Sequence, residues 1–192
     1  NRDEVLATYI LAPEGVELEL QPGDVFLNIP LNNVACQSTT HLPMMNALGL
    51  SRNVCGISHP DYVSNETSRK LIEEGVIKSI GGSNEIDAEK VIALNPGALM
   101  VYPMEGLSYD HLRESGIDLI YNAEYLEDTP LGQAEWIKFV ALFFNAEAEA
   151  NRVFEEIERE YNALTELVKG RTKPTVMAGI PYAGVYYAPG AN

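Results

Sequence analysis

Hydroxyl, aromatic and carboxylate side chains recur in four short stretches, 38–41, 58–62, 102–105 and 123–127, each close behind an apolar run. Hydroxyls and amides at a helix start can hold a polar group, and tyrosine rings can cover a large planar ligand. Carboxylates can meet a cationic or metal-bearing ligand. These residue types predict recognition of a small molecule. The candidate ligand-binding residues are Thr39, Thr40, His41, Tyr62, Tyr102, Glu105, Glu124 and Tyr125.

Each candidate also has a simpler interpretation. Thr39 and Thr40 could only cap a helix, and His41 could be a solvated first-turn residue instead of a contact to a ligand or metal. Tyrosines at strand ends often pack against their neighbours, and loop carboxylates are usually solvated. The sequence leaves both interpretations open.

The sequence lacks the common catalytic patterns. It contains no P-loop, no GxGxxG, no HExxH, no CxxC and no GxSxG. The three histidines, His41, His59 and His111, form no set of nucleophile, base and stabiliser with other residues. We therefore expect a binding protein without a cofactor or resident metal, and not an enzyme.

The net charge argues against two classes of binding partner. The formal net charge is −15, which repels nucleic acid and anionic membrane surfaces. No run approaches the roughly 18 apolar residues of a membrane span, and we expect any export signal or lipid-anchoring cysteine to lie outside this sequence. Cys36 and Cys55 lie in apolar runs, which favours buried free thiols. A disulfide between them is the alternative if the protein is exported.

Residues 1–32 have the pattern of an N-terminal β-hairpin. Residues 16–20 alternate apolar and polar side chains, residues 21–24 have turn chemistry, and residues 25–29 follow as a second strand.

Residues 33–145 alternate short apolar strands with amphipathic helices. This rhythm predicts an α/β fold with a parallel sheet and flanking helices. The carboxyl ends of parallel strands share one edge, so the four candidate stretches should meet there.

Within residues 146–170, apolar residues recur at helical spacing and predict one long helix with a single apolar stripe. Gly170 at the end of this range suits a helix C-terminus. Twenty-four helical residues would span about 36 Å, long for a crossover helix in a compact domain. We expect this inter-lobe helix to lead into residues 171–192, the start of a truncated second lobe whose first strand is 174–179.

Four stretches together resemble one known family. Residues 38–58 include a capped helix, Ala47-Leu48-Gly49 and a VCGIS strand, and the other matching stretches are 86–96, 124–139 and 186–192. The combination resembles the N-terminal lobe of class III periplasmic binding proteins, the helical-backbone class, in a Bacteroides-like form.

Three small departures, at Asp87, Asn95 and Gly97, touch a helix end and a loop. The larger departure is length, since family members have two lobes.

The resemblance implies an ABC-importer substrate-binding protein that captures a ferric siderophore, haem or cobalamin between two lobes. It implies an inner-membrane permease as partner and a periplasmic, lipid-anchored location. Glu89 matches the glutamate that docks the N-terminal lobe onto permease arginines, although it could simply favour the helix dipole. The alternatives are a zinc or manganese receptor and, from another class, a chelatase-like or nitrogenase-like enzyme lobe.

Overall fold

The computed structural model describes residues 5–16, 18–82, 85–104, 106–172, 174–175 and 185. Within these ranges the chain forms seven strands and six α-helices. The strands are β1 (Thr8–Ala12), β2 (Asp24–Asn28), β3 (Val34–Cys36), β4 (Val54–Ile57), β5 (Lys78–Ser79), β6 (Leu99–Val101) and β7 (Leu119–Tyr121). The helices are α1 (His41–Ala47), α2 (Glu66–Glu73), α3 (Ala88–Leu94), α4 (Asp110–Glu114), α5 (Pro130–Leu142) and α6 (Glu147–Val168).

Five of the strands form one parallel sheet in the order β5-β4-β3-β6-β7. Strands β4 and β5 follow one another on one side of β3. The chain then crosses back, and β6 and β7 follow one another on the other side of β3. The direction of building therefore reverses between β3 and β6. In open α/β sheets such a reversal leaves a crevice at the carboxyl ends of the two strands, where ligands bind. The predicted α/β class and parallel sheet are confirmed.

Side chains on the two faces of this sheet enter two separate cores. Cys36 and Met100 belong to the core that includes α1, α2, α5 and α6, whereas Ala35, Leu99 and Val101 belong to the core with α3 and α4. Successive strand residues point to opposite faces, so helices cover both sides of the sheet. The rigid sheet fixes the positions of the loops that follow each strand.

Polar residues set the helix boundaries that the sequence predicts. Asn65, Asp87 and Thr129 each accept a hydrogen bond from the backbone N–H three residues later, which satisfies a free donor of the first turn. Asn145 has a φ of 53°, and this left-handed backbone separates α5 from α6.

The predicted N-terminal hairpin is wrong. Strand β1 lies at residues 8–12 instead of 16–20, and it pairs with β2 in parallel. The side chains of Val16, Leu18 and Leu20 are exposed despite their alternation. Tyr9 instead anchors this region, because its ring packs edge-on against Phe143, the residue that follows α5, at 5.5 Å, and its hydroxyl accepts a 2.8 Å hydrogen bond from the backbone of Tyr121.

Lys78 and Ser79 form the short edge strand β5. Its neighbour on β4 is Gly56. A Cβ atom at this position would lie 2.7 Å from Ile80 Cγ2 and 2.8 Å from Leu94 Cδ1. Glycine therefore lets β4 lie close to these side chains.

Helix α6 has 22 residues, about 33 Å of helix. Ala150 and Phe154 are buried against the first core, but Ile157, Leu164 and Val168 are exposed. Its role as an inter-lobe helix stays a prediction, as do the domain boundaries. The strand predicted at 174–179 lies outside the described residues, apart from Pro174 and Thr175, which are not in a strand. None of the helices in the described ranges is both long and apolar enough for a membrane crossing.

Candidate functional site

Buried polar side chains connect the two strands on either side of the reversal. Gln37 directly follows β3 and is almost fully buried. Its Oε1 accepts a 3.1 Å hydrogen bond from the backbone N–H of Tyr102, which follows β6, and a 2.7 Å bond from the hydroxyl of Tyr109. Burial raises the pKa of Tyr109, so this hydroxyl stays protonated and can donate. Gln37 thus holds the β6 loop beside the β3 loop, a role that the sequence analysis missed.

Thr40 links the β3 loop to the β7 loop. Its hydroxyl donates a 2.6 Å hydrogen bond to Glu124 Oε1 and lies 2.9 Å from Ser38 Oγ. The Thr40 side chain caps no backbone N–H of α1. Its hydroxyl therefore serves a contact at the carboxyl edge, and the simple capping interpretation does not describe it.

Glu124 is a carboxylate held almost completely inside the protein, with 7% of its surface exposed. The neighbouring Asn122 is fully buried and accepts a 3.2 Å hydrogen bond from the Glu124 backbone, which fixes the loop. The second carboxylate oxygen, Oε2, has no hydrogen-bond partner among the described residues. A buried acceptor without a donor is costly, so this oxygen is the group at the edge with the greatest need of a partner.

Tyr102 and Tyr125 form an aromatic pair beside this carboxylate. Their ring centroids lie 6.3 Å apart at 85°, an edge-to-face arrangement. The Tyr125 hydroxyl donates to the carbonyl of Pro103. Burial, followed by the charge of Glu124, raises the pKa of Tyr125. The structure thus brings together four of the predicted residues: Thr40, Tyr102, Glu124 and Tyr125.

Two further candidates lie on loops of the same edge, outside this cluster. Tyr62 is 75% exposed and its ring lies 5.3 Å from His59, on the loop after β4. Thr39 is half-buried in the β3 loop. Glu105 lies outside the described residues.

His41 differs from both of its predicted interpretations. It has no exposed surface, and neither ring nitrogen has a hydrogen-bond partner among the described residues. Burial lowers its pKa to about 3, because the interior disfavours the charged imidazolium. As the first residue of α1 it lies inside the lobe and presents no surface to a ligand.

Glu89 lies in the first turn of α3 and is exposed, as predicted. A helix that connects parallel strands runs antiparallel to them, so its N-terminus adjoins the carboxyl edge. Asp87 already caps this helix and pairs with Lys90 at 3.1 Å. Glu89 therefore adjoins the same edge as the candidate site, with its carboxylate towards solvent.

The described residues offer little to a metal ion. No three His, Cys, Asp or Glu side chains in these ranges lie close enough to hold one. Cys36 and Cys55 are free thiols, and burial raises the pKa of both, that of Cys55 to about 11. Protonated thiols are poor ligands for a metal or a cluster.

A depression of about 670 Å³ lies at the opposite edge of the sheet, lined by residues 28–33 and 95–97 among others. These residues precede β3 and β6. The carboxyl edge is the stronger candidate, because it carries the buried carboxylate and the strand reversal.

The family model that matches this chain is described as "Periplasmic binding protein", and it covers residues 34–192. Among curated proteins, an uncharacterized lipoprotein of Methanocaldococcus jannaschii is 34% identical over 88% of this chain and 44% of its own length. A second lipoprotein of the same organism is 28% identical over 63% of this chain and 33% of its own length. The chain thus spans less than half the length of these relatives.

Solved structures share the fold. The iron uptake ABC transporter substrate-binding protein PiuA from Streptococcus pneumoniae superposes with a TM-score of 0.63 at 17% identity, over 84% of this chain and 56% of its own. The periplasmic heme-binding protein HutB of Vibrio cholerae gives 0.57 at 20% identity, over 74% and 51%. At these identities the likeness concerns the fold.

Proposed function

This chain belongs to the periplasmic binding protein family, and from that membership we propose that it is the N-terminal lobe of a receptor for an ABC importer. The receptor captures a ferric siderophore, haem or cobalamin-type ligand outside the inner membrane and delivers it to a permease. The observation that carries this proposal is the cluster of Thr40, Tyr102, Glu124 and Tyr125 at the strand reversal. It combines aromatic surface with hydroxyl and carboxylate groups, as small-molecule sites do.

We propose that the ligand is enclosed between this lobe and a second one. The distal half of α6 carries exposed apolar side chains: Ile157, Tyr161, Leu164, Leu167 and Val168. A contiguous apolar stripe of this kind normally packs against protein. The chain also spans about half the length of the structures that share its fold. A second lobe at the end of α6 would cover the stripe and complete the clamp.

The siderophore and haem members of the proposed ligand class are supported by the neighbours' names. PiuA is described as an iron uptake protein, HutB as a heme-binding protein, and a further neighbour, BauB, is bound to acinetobactin and ferric iron. The location follows the same reasoning: a curated relative is called a lipoprotein, and we propose lipid anchoring outside the cytoplasm for this protein.

A thermal-shift screen of the two-lobed protein tests the function. The ligands are haem, cyanocobalamin, and one ferric siderophore each of the hydroxamate, catecholate and carboxylate types. A ligand at 100 times its dissociation constant stabilises the folded state by about 2.7 kcal/mol, so one of these should raise the melting temperature by about 3 °C or more. No shift with any of the five would contradict the proposal. No observation favours the metal-receptor or enzyme alternatives, so neither is carried further.

Glu89→Ala should lower ligand uptake at least about tenfold in vesicles that contain the permease, while the dissociation constant for ligand changes less than about twofold. The reason is that an exposed carboxylate at a docking surface loses a charge pair with the permease and touches no ligand. Uptake and calorimetry on the same preparations measure the two effects.

Glu73→Ala is the matched control, because Glu73 is equally acidic and exposed but lies at the end of α2 that faces the opposite edge. Its uptake should equal that of the unmodified protein. An equal loss of ligand affinity in Glu89→Ala would contradict a docking role.

A further inference from the structure

The loops at the carboxyl edge contain acidic residues but no lysine or arginine. Within the described part of the chain these loops are residues 37–41, 58–65, 80–82, 85–87, 102–104, 106–109 and 122–129. Their acidic residues are Asp61, Glu85, Asp87, Glu124, Glu127 and Asp128. An edge lined by one sign of charge attracts ligands of the opposite sign and repels those of the same sign.

On α3 and α4, which adjoin the edge, each lysine or arginine pairs with one carboxylate. Lys90 of α3 pairs with Asp87 at 3.1 Å, and Arg113 of α4 pairs with Asp110 at 2.9 Å. Among the acidic residues of the edge, Lys90 therefore offsets the charge of Asp87 alone, and Arg113 offsets that of Asp110 outside the edge.

The buried carboxylate of Glu124 gives the edge a specific acceptor. Thr40 donates to Oε1, but Oε2 is buried and has no partner among the described residues. The hydroxyl of Ser58, at the end of β4, is likewise buried without a partner. Oε2 has no accessible surface in this lobe, so a donor group on the ligand would reach it only once the Glu124 side chain turns towards the crevice, and a charged donor would then satisfy it best.

We propose that this receptor selects ligands of neutral or positive net charge, with Glu124 accepting from a donor group of the ligand, and rejects anionic iron chelates. The inference rests on the proposed function and specifies its substrate class. Specificity of this kind is a difference of affinities, and the acidic edge supplies its repulsive part.

Calorimetry on a matched ligand series tests the proposal with the two-lobed protein. Ferrioxamine B carries a pendant ammonium, and its acetylated and succinylated forms keep the same ferric hydroxamate with charges that fall from positive through neutral to negative. Cyanocobalamin with an aminoalkyl group on its ribose 5′-hydroxyl, in the free, acetylated and succinylated forms, gives a second scaffold with the same three charges. On the scaffold that binds, we expect the ammonium form to bind about tenfold more tightly than the acetyl form. A tenfold difference in dissociation constant corresponds to about 1.4 kcal/mol. The succinyl form should be weakest.

Glu124→Gln should remove most of the tenfold preference, because it keeps the shape and removes the charge. Glu114→Gln is the control, since Glu114 is exposed at the end of α4 that faces the opposite edge. It should keep the preference. As a measurement that needs no variant, raising the salt from 50 to 500 mM should shrink the preference of the unmodified protein.

Equal or tighter binding of the succinyl form would overturn the inference while leaving the proposed function intact. An unchanged preference in folded Glu124→Gln would overturn the assignment to Glu124. A salt-independent preference would overturn its electrostatic origin. Binding of haem or of another anionic chelate, with binding by none of the six ligands, would overturn the inference and leave the proposed function intact. Binding by none of the six and by none of the screened ligands would contradict the proposed function as well.

Discussion

Residues 1–172 alone should bind the ligand at least about 100-fold more weakly than the two-lobed protein. Pockets for ligands of this size cover most of the ligand surface, and one lobe can cover only one side. Losing about 300 Å² of apolar contact removes about 7 kcal/mol. The two-lobed protein uses part of this free energy in closing its lobes, so the net loss is smaller. We expect at least about 2.7 kcal/mol to remain, which corresponds to a 100-fold larger dissociation constant.

Titration calorimetry of the two proteins with the same ligand measures the difference. A cooperative thermal transition of the shorter protein must accompany the titration, since an unfolded lobe would also fail to bind. As a control for the exposed stripe of α6, Leu164→Gln in the shorter protein should leave its residual binding unchanged. Comparable tight binding by both lengths would contradict the two-lobe proposal.

Acid should destabilise the protein through His41, by roughly 2–3 kcal/mol between pH 6 and pH 4 from this residue alone. Burial lowers its folded-state pKa to about 3, whereas the unfolded chain has the ordinary value of 6.5. Below pH 6.5 the unfolded state therefore binds a proton that the folded state excludes. The stability is complete above pH 6.5 and falls as the pH drops towards 3.

Leucine at this position isolates the effect from the carboxylates that titrate in the same range. His41→Leu should gain roughly 2–3 kcal/mol relative to the unmodified protein between pH 6 and pH 4, measured by urea unfolding at each pH. His111→Leu, at an exposed position of α4, should show no such gain. Parallel pH profiles for His41→Leu and the unmodified protein would contradict the burial of a neutral His41.

The sheet and its helices could be predicted from the sequence because local and long-range preferences agree. Short apolar runs alternate with capped helices, and residue types that favour helix ends stand at the boundaries, as Thr129-Pro130 does at the start of α5 and Asn145 between α5 and α6. The prediction for the N-terminal region was wrong because it rested only on the local pattern of residues. The alternation at 16–20 fits a strand, but the contacts of Tyr9 with α5 and β7 decide the pairing, and these contacts join residues far apart in the sequence.

The candidate site was predicted in part for a similar reason. Strand-end placement correctly grouped Thr40, Tyr102, Glu124 and Tyr125 at one edge. It could not distinguish a side chain that faces the crevice from one that turns inward, so His41 was misplaced. Gln37 was missed although a signal existed, since a polar residue directly after a fully buried strand needs a hydrogen-bond partner.

A crystal structure of the two-lobed protein with its ligand tests the central claim most directly. We predict that the ligand lies at the carboxyl edge, within contact distance of Thr40, Tyr102, Glu124 and Tyr125, with a donor group on Glu124 Oε2. A ligand bound at the opposite edge, against residues 28–33 and 95–97, would contradict the account, as would a ligand held without contact to any of these four side chains.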